Sequence, residues 1–478
     1  MTRAEAPAAP WARRLQALPP EASPPPASSS SVETVVVLDD DPTGTQAVSG
    51  VPVLTAWEVE DLRWALATRA SAVFVSLNTR SLAPAAARSR VVEATRAAIA
   101  AARLERRPVV FASRSDSTLR GHFPLETDAI GEGLTSMGRP FPDGVVVIPA
   151  FIESGRVTVD GVHLVLRGGD AIPVGATEFA ADATFGYRSS DLREWIEEKT
   201  EGRWRAADIV HVSIDAIRTG GATLVGSILA RLEDGQPVVV DAVSNPDLAV
   251  VAAGVRVAEA AGRTFVYRVG PSFVRARANL PAAERVDRAA VSDVAARLGA
   301  AGAGLVVAGS HVEVTQAQLD VLRGLPGLSF VELEVAAVVD EVRRAGEVET
   351  KARAATAALA RGDVVVHTSS ERATGSTPGA SLELARVVAD SLCDLARRVL
   401  TTRRPGWVVG KGGITSSDLA RRGLGLRRAW VRGSLLPDGV SLWEPELADV
   451  PVPFAVFPGN VGASDGLRRV VELLRSSG

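Results

Sequence analysis

The 478-residue sequence contains one cysteine, two methionines, two tyrosines and five histidines. A lone thiol, Cys393, excludes an intrachain disulfide and fits a reducing, cytoplasmic setting in which it packs as a small apolar side chain. None of the histidines has the spacing of a zinc site. Charge of one sign is not in excess, because 53 Lys and Arg against 56 Asp and Glu leave a formal charge of -3. Neither nucleic acid nor an anionic membrane is therefore indicated as a partner. Long hydrophobic runs are missing too: the apolar stretches are strand-sized and end in polar residues or glycine, so no segment is read as spanning a bilayer. Two phosphate-binding signatures are also absent. Lys411 is followed by Gly412, which breaks the Walker spacing, and no Gly-x-Gly-x-x-Gly fingerprint occurs, which counts against a dinucleotide oxidoreductase.

What remains is an alternation of short β-branched runs and amphipathic segments. Strands are expected at 35–38, 72–76, 109–112, 145–148, 209–213, 238–241 and 265–268, then at 304–308, 330–333, 364–367, 407–410, 429–431 and 454–457. The helical segments between them predict an α/β fold of two domains, each with a mostly parallel sheet flanked by helices. Residues 1–32, rich in Ala, Pro and Ser, are read as a disordered extension, 33–275 as the first domain and 285–478 as the second. Weak periodicity and frequent glycine at 153–187 predict loops and a small hairpin.

Chemistry concentrates where strands end. The run Val35-Val-Val-Leu38 stops at Asp39, Asp40 and Asp41, then Pro42 and Gly44. Three adjacent carboxylates repel one another unless a cation or fixed donors absorb their charge. The strand at 109–112 leads into Arg114, Asp116, Ser117, Thr118, Arg120, Gly121 and His122, where guanidiniums suit a carboxylate or phosphate and hydroxyls suit a polyol. Arg156 and His163 follow the next strand. In the second half, Gly309-Ser310, Gly410-Lys-Gly-Gly-Ile-Thr415 and Pro458-Gly-Asn-Val-Gly462 each place glycines after a strand. Three such turns on one sheet edge read as a nucleotide cradle. Any metal is expected to be a hard cation, most simply Mg2+, with its ligands unassigned.

As a set, Asp39-Asp-Asp-Pro-Thr-Gly44, Asp116-Ser-Thr-Leu-Arg-Gly121, Gly155-Arg156, Asp160-Gly-Val-His163, Gly309-Ser310 with Thr315 and Gln318, Gly412-Gly-Ile-Thr415 and Pro458-Gly-Asn-Val-Gly462 resemble the four-carbon acid sugar kinase family. The resemblance implies ATP-dependent phosphorylation of the terminal hydroxyl of threonate, erythronate or an oxo-tetronate, in a cleft between a sugar-acid domain and an ATP domain. It places Asp40, Asp41, Arg114, Asp116, Ser117, Thr118, Arg120 and Gly121 on the acid side, with Arg156 and His163 beside them. Ser310, Lys411, Gly412, Gly413, Ile414, Thr415, Gly459, Asn460 and Gly462 fall on the ATP side. Asp40 or Asp116 is the expected proton acceptor, and Arg120 the carboxylate holder.

Two departures stand out: Ile414 replaces the Asp or Glu common in the family, and Phe457-Pro458 replaces a Lys-bearing turn. Lys411 is the expected substitute for that charge. These departures keep a second reading open, a non-catalytic sugar-acid sensor with a degenerate nucleotide site. A homodimer is left open as the assembly.

Overall fold

The computed structural model describes residues 8–22, 33–309, 313–369, 378–437, 439–459 and 461–475. Ser310 and Asn460 lie outside them. The chain divides into two compact units, residues 1–40 with 57–281 and residues 41–56 with 282–478. The segment 41–56, placed in the first domain from sequence, thus belongs to the second unit. A linear reading has no signal for a strand that crosses to another unit's sheet.

The first unit holds seven parallel strands in the order Ala72–Ser76, Thr34–Asp39, Val109–Arg114, Phe265–Val269, Gly144–Ile148, Gln236–Val240 and Val210–Val212. Thr34–Asp39 is buried along its whole length, with Val35, Val36 and Val37 fully inaccessible. Such strands read as continuous apolar runs because both faces of a parallel sheet are covered. Each of these side chains contributes about 1.5–3 kcal/mol by leaving water, which helps offset crowding acids at the strand's end. The chain leaves Thr34–Asp39 for one neighbour, Ala72–Ser76, and returns past it to the other, Val109–Arg114. This reversal opens a crevice at the carboxyl ends of the strands, the usual ligand position in an open α/β sheet.

The expected hairpin is a three-stranded antiparallel sheet, Arg156–Val159, Val162–Arg167 and Asp170–Pro173. The N-terminal extension departs from expectation, since Ala8–Gln16 is a helix. Trp11, Leu15 and Leu18 pack on Val157, Val159, Leu164 and Ile214. Arg14 donates to both Asp160 oxygens, at 2.8 and 2.9 Å. Two large apolar residues and an arginine spaced along one short helix were the missed signal within an Ala/Pro-biased stretch.

In the second unit the sheet order is Leu328–Leu333, Asp363–Thr368, Leu305–Ala308, Val408–Lys411, Phe454–Phe457, Ser441–Leu447, Arg428–Ser434 and Val51–Leu54. The first five are parallel and the last three antiparallel, so the sheet is mixed, with a parallel half that carries the glycine turns. Ser441–Leu447 and Val51–Leu54 were not foreseen. Each contains a proline, Pro445 or Pro52, which argues against a strand when only sequence is at hand. Cys393 is buried in helix Pro378–Thr402 as expected, and burial pushes its thiol up to about 12.

Candidate active site

Register brings the first acid and the first arginine together, because Asp39 and Arg114 are direct partners at the ends of adjacent strands. Arg114 is 3% exposed and Asp39 and Asp40 are 1% exposed each, so water screens none of these charges. Arg114 pairs with Asp39 and stands 3.1 Å from Asp40 Oδ1. Arg80, from the turn after Ala72–Ser76, approaches the same oxygen to 3.3 Å. Asp40 Oδ2 has no hydrogen-bond partner among the described residues, and a Cβ on Gly121 would stand 3.3 Å from it. Gly121, at φ +118°, therefore leaves the chain both the conformation and the room that this carboxylate needs.

Asp116 is held differently. Arg120 Nε donates to its Oδ2 at 2.6 Å, Thr118 donates to the same atom, and Arg80 lies 3.7 Å away. Burial pushes this carboxyl up, but Arg120, Arg80 and Thr118 outweigh burial and hold it well below the usual range. Such a group is a poor proton acceptor. Arg120 is correspondingly committed to Asp116 and also lies 3.6 Å from Asp182, so its expected role as carboxylate holder does not fit.

Three side chains support the loop from below. His163 Nε2 donates to the Ser117 carbonyl at 2.8 Å while Nδ1 accepts from Thr158 at 2.9 Å, and burial pulls its ring down to about 4. It is a neutral, fully buried prop, and the expected substrate contact is corrected on that ground. Tyr187 donates to the Thr118 carbonyl at 2.7 Å, and Arg268 Nη2 reaches the Arg120 carbonyl at 3.5 Å. Arg156, by contrast, donates to the Ser154 carbonyl, and its Nε has no partner among the described residues.

Sequence reasoning missed Arg80, Arg268 and Glu126. An arginine inside the buried run Phe265–Val269 was a usable signal. Glu126, four residues past His122, reads as an ordinary acid in a first helical turn. Yet Glu126 is 5% exposed and accepts from Thr79 at 2.5 Å, Ser113 at 2.9 Å and Ser115 at 3.3 Å.

In the second unit, the three glycine turns end three neighbouring strands, Leu305–Ala308, Val408–Lys411 and Phe454–Phe457. A Cβ on Gly309 would lie 2.6 Å from Thr415 Oγ1, so those two turns touch. Thr315 donates to the Gly459 carbonyl at 3.0 Å, and Gln318 donates to Val461 and Ala463 at 3.0 and 2.9 Å. Gly462, at φ +89°, lies under Gln318, and Ile414 is 47% exposed. Asp41 belongs here as well: its carboxylate holds the Thr43 N–H at 2.7 Å and would meet a Cβ on Gly413 at 2.9 Å.

Lys411 does not face outward. It is fully buried, donates to the Pro458 carbonyl at 2.7 Å and sits 3.9 Å above the Phe457 ring, and burial pulls it down to about 7. The expected replacement for a phosphate-facing lysine is thus a prop for the last glycine turn. Lys411→Met is expected to change the KM for ATP by less than about threefold, as for removal of a weak contact. The unfolded chain binds the lysine proton up to its ordinary value and the folded chain only to about 7, so wild-type stability rises with pH between them. Urea midpoints at pH 7 and 9 should show that rise in wild type and lose it in Lys411→Met.

Asp39, Asp40 and Asp41 put carboxylate oxygens within 4.8 Å of one another. They do not fit a divalent cation as a cage. Arg114 already occupies Asp39 and flanks Asp40, Asp41 is turned to Thr43, and a magnesium ion demands near-octahedral oxygens at about 2.0–2.1 Å.

Residues 35–277 match a family described as a sugar-binding N-terminal domain, and residues 305–467 one described as a nucleotide-binding C-terminal domain. The two matches, in this order, define a two-domain protein that pairs a sugar site with a nucleotide site. The chain belongs to the four-carbon acid sugar kinase family. A D-erythronate kinase from Heliobacterium modesticaldum is 28% identical over 354 residues, 70% of each chain. Among solved structures, a Salmonella typhimurium LT2 protein described as a tRNA synthase aligns over 91% of this chain and 98% of its own, at 18% identity and a TM-score of 0.62. A Haemophilus influenzae protein from a domain-of-unknown-function family aligns over 92% and 100%, at 18% identity and a TM-score of 0.58. These two share the fold. Among the described residues no helix is long and apolar enough to cross a membrane.

Proposed function

We propose that the protein transfers the γ-phosphoryl group of MgATP to the terminal hydroxyl of a four-carbon sugar acid, of which D-erythronate is the first candidate. The observation that carries the reading is Asp40 Oδ2, a buried carboxylate oxygen with no partner among the described residues, beside a guanidinium-lined loop at the sheet's switch point. Asp40 accepts the proton of the attacking hydroxyl, since Asp116 is held ionised by Arg120 and Arg80. Arg156, whose Nε lacks a partner among the described residues, takes the substrate carboxylate in place of Arg120. Ser117 and Thr118 face the substrate hydroxyls.

The glycine turns at 309, 412–415 and 459–462 hold the nucleotide phosphates, and magnesium arrives with ATP and spreads the charge that develops on them. Phosphoryl transfer asks mainly for alignment and charge neutralisation, so one well-placed acceptor suffices. The relative from Heliobacterium supports the acid class, and the nucleotide-binding match supports ATP. ADP release from MgATP across threonate and erythronate enantiomers and their oxo forms tests the reading. One acid should give sustained turnover. ATP binding without turnover on any of them would favour the sensor reading that Ile414 and Phe457 keep open.

A further inference from the structure

Glu126 is a buried acid of the first unit that this chemistry leaves unused, and it lies beside the Asp40 site. No arginine or lysine lies within ion-pair reach of it among the described residues, which is unusual for a carboxylate this deeply buried. Its oxygens are satisfied by hydroxyls from three places: Thr79 in the turn after Ala72–Ser76, Ser113 at the end of Val109–Arg114, and Ser115 in the loop beyond. Thr79 immediately precedes Arg80, the residue that reaches both Asp40 and Asp116.

An ionised carboxylate only accepts hydrogen bonds, so it can hold all three hydroxyls at once. Once protonated, it carries a donor of its own, so the hydroxyl facing that oxygen must reverse its bond and seek another acceptor for its own hydrogen.

We propose that Glu126 is a positioning residue whose ionised form anchors the Thr79-Arg80 turn against the Asp40 site, so that its protonation disengages Arg80 and slows transfer. The proposal rests on the kinase reading above. The charged groups facing Glu126 are Asp40 from Thr34–Asp39 and Arg268 from Phe265–Val269. His122, on the turn before its own helix, bonds the Thr79 and Leu82 carbonyls through Nε2, and burial pulls that ring down. Burial and the Asp40 charge push Glu126 up to about 7, against the pull of the Thr79 and Ser113 hydroxyls and of Arg268. The switch therefore falls in a range that rate measurements reach.

The test is the pH dependence of kcat in three enzymes with the acid identified by the ADP assay. Wild type should lose activity on acidification with a midpoint near 7. Glu126→Gln should lower kcat by up to about 100-fold, the cost of a small misplacement, and should no longer show that midpoint. Thr79→Val, which removes one donor to the carboxylate, should keep the midpoint but move it up by about one pH unit.

The KM for ATP should stay put in both variants. A midpoint that persists unmoved in Glu126→Gln would assign it to another group, Asp39 first, since burial pushes that carboxyl up to about 7 as well, and overturn the proposal. So would a Thr79→Val profile that coincides with wild type, which covers the case of a Glu126→Gln protein that does not fold. Wild type without any acid-dependent ADP would instead remove the kinase reading itself.

Discussion

Asp40→Asn is expected to fold and to lose about 100- to 10,000-fold in kcat, the usual worth of a positioned general base. The amide keeps the shape of the carboxylate, and Arg114 still has Asp39 as its partner, so the strand end survives. What disappears is an oxygen able to take up the hydroxyl proton. The KM for the acid should move far less than kcat, because the proposed reading assigns binding to Arg156 and the Ser117-Thr118 hydroxyls. Steady-state rates beside a melting curve make the check, and an Asp40→Asn enzyme with full turnover would take Asp40 off the reaction path. The same exchange at Asp116 is expected to act chiefly on the KM for the acid, since Asp116 holds Arg120 and Thr118 in place.

Arg114→Met should be the most destabilising single change in the first unit, by about 3–5 kcal/mol, because it leaves two buried carboxylates facing each other without their shared cation. The loss should grow with pH. Burial already pushes Asp39 up to about 7, against the attraction of Arg114, and removing the guanidinium pushes it higher. A carboxyl raised above its unfolded value favours folding while protonated and withdraws that contribution as pH climbs through the folded value. Chemical denaturation of Arg114→Met at pH 6 and pH 8.5 should therefore show a wider gap from wild type at pH 8.5. A gap that narrows with pH would mean that Asp39 is not the group left exposed to the low dielectric.

Much of the molecule was legible because buried parallel strands announce themselves. Ala72–Ser76 and Phe454–Phe457 were read to the residue, and the acid triplet and the three glycine turns were found because each interrupts such a run abruptly. The strands that escaped contain Pro52 and Pro445, whose missing N–H is tolerated only where the ladder does not need it, and no local pattern reveals that. The site was less readable than the fold for a related reason. Sequence identifies which residue types gather at a strand end, but not which charges are already spent on one another. Arg120 and Lys411 looked like free cations until Asp116 and the Phe457-Pro458 turn were seen to occupy them. His163 looked like a ligand for the same reason, and Glu126 drew no notice.

The central claim is that the chain phosphorylates the terminal hydroxyl of a four-carbon acid. Its most direct test is nuclear magnetic resonance of the product formed from MgATP and D-erythronate. The account predicts one phosphate monoester whose phosphorus couples to the terminal methylene carbon, formed in step with ADP. Phosphate attached to an interior carbon, or inorganic phosphate released with the acid unchanged, would contradict it.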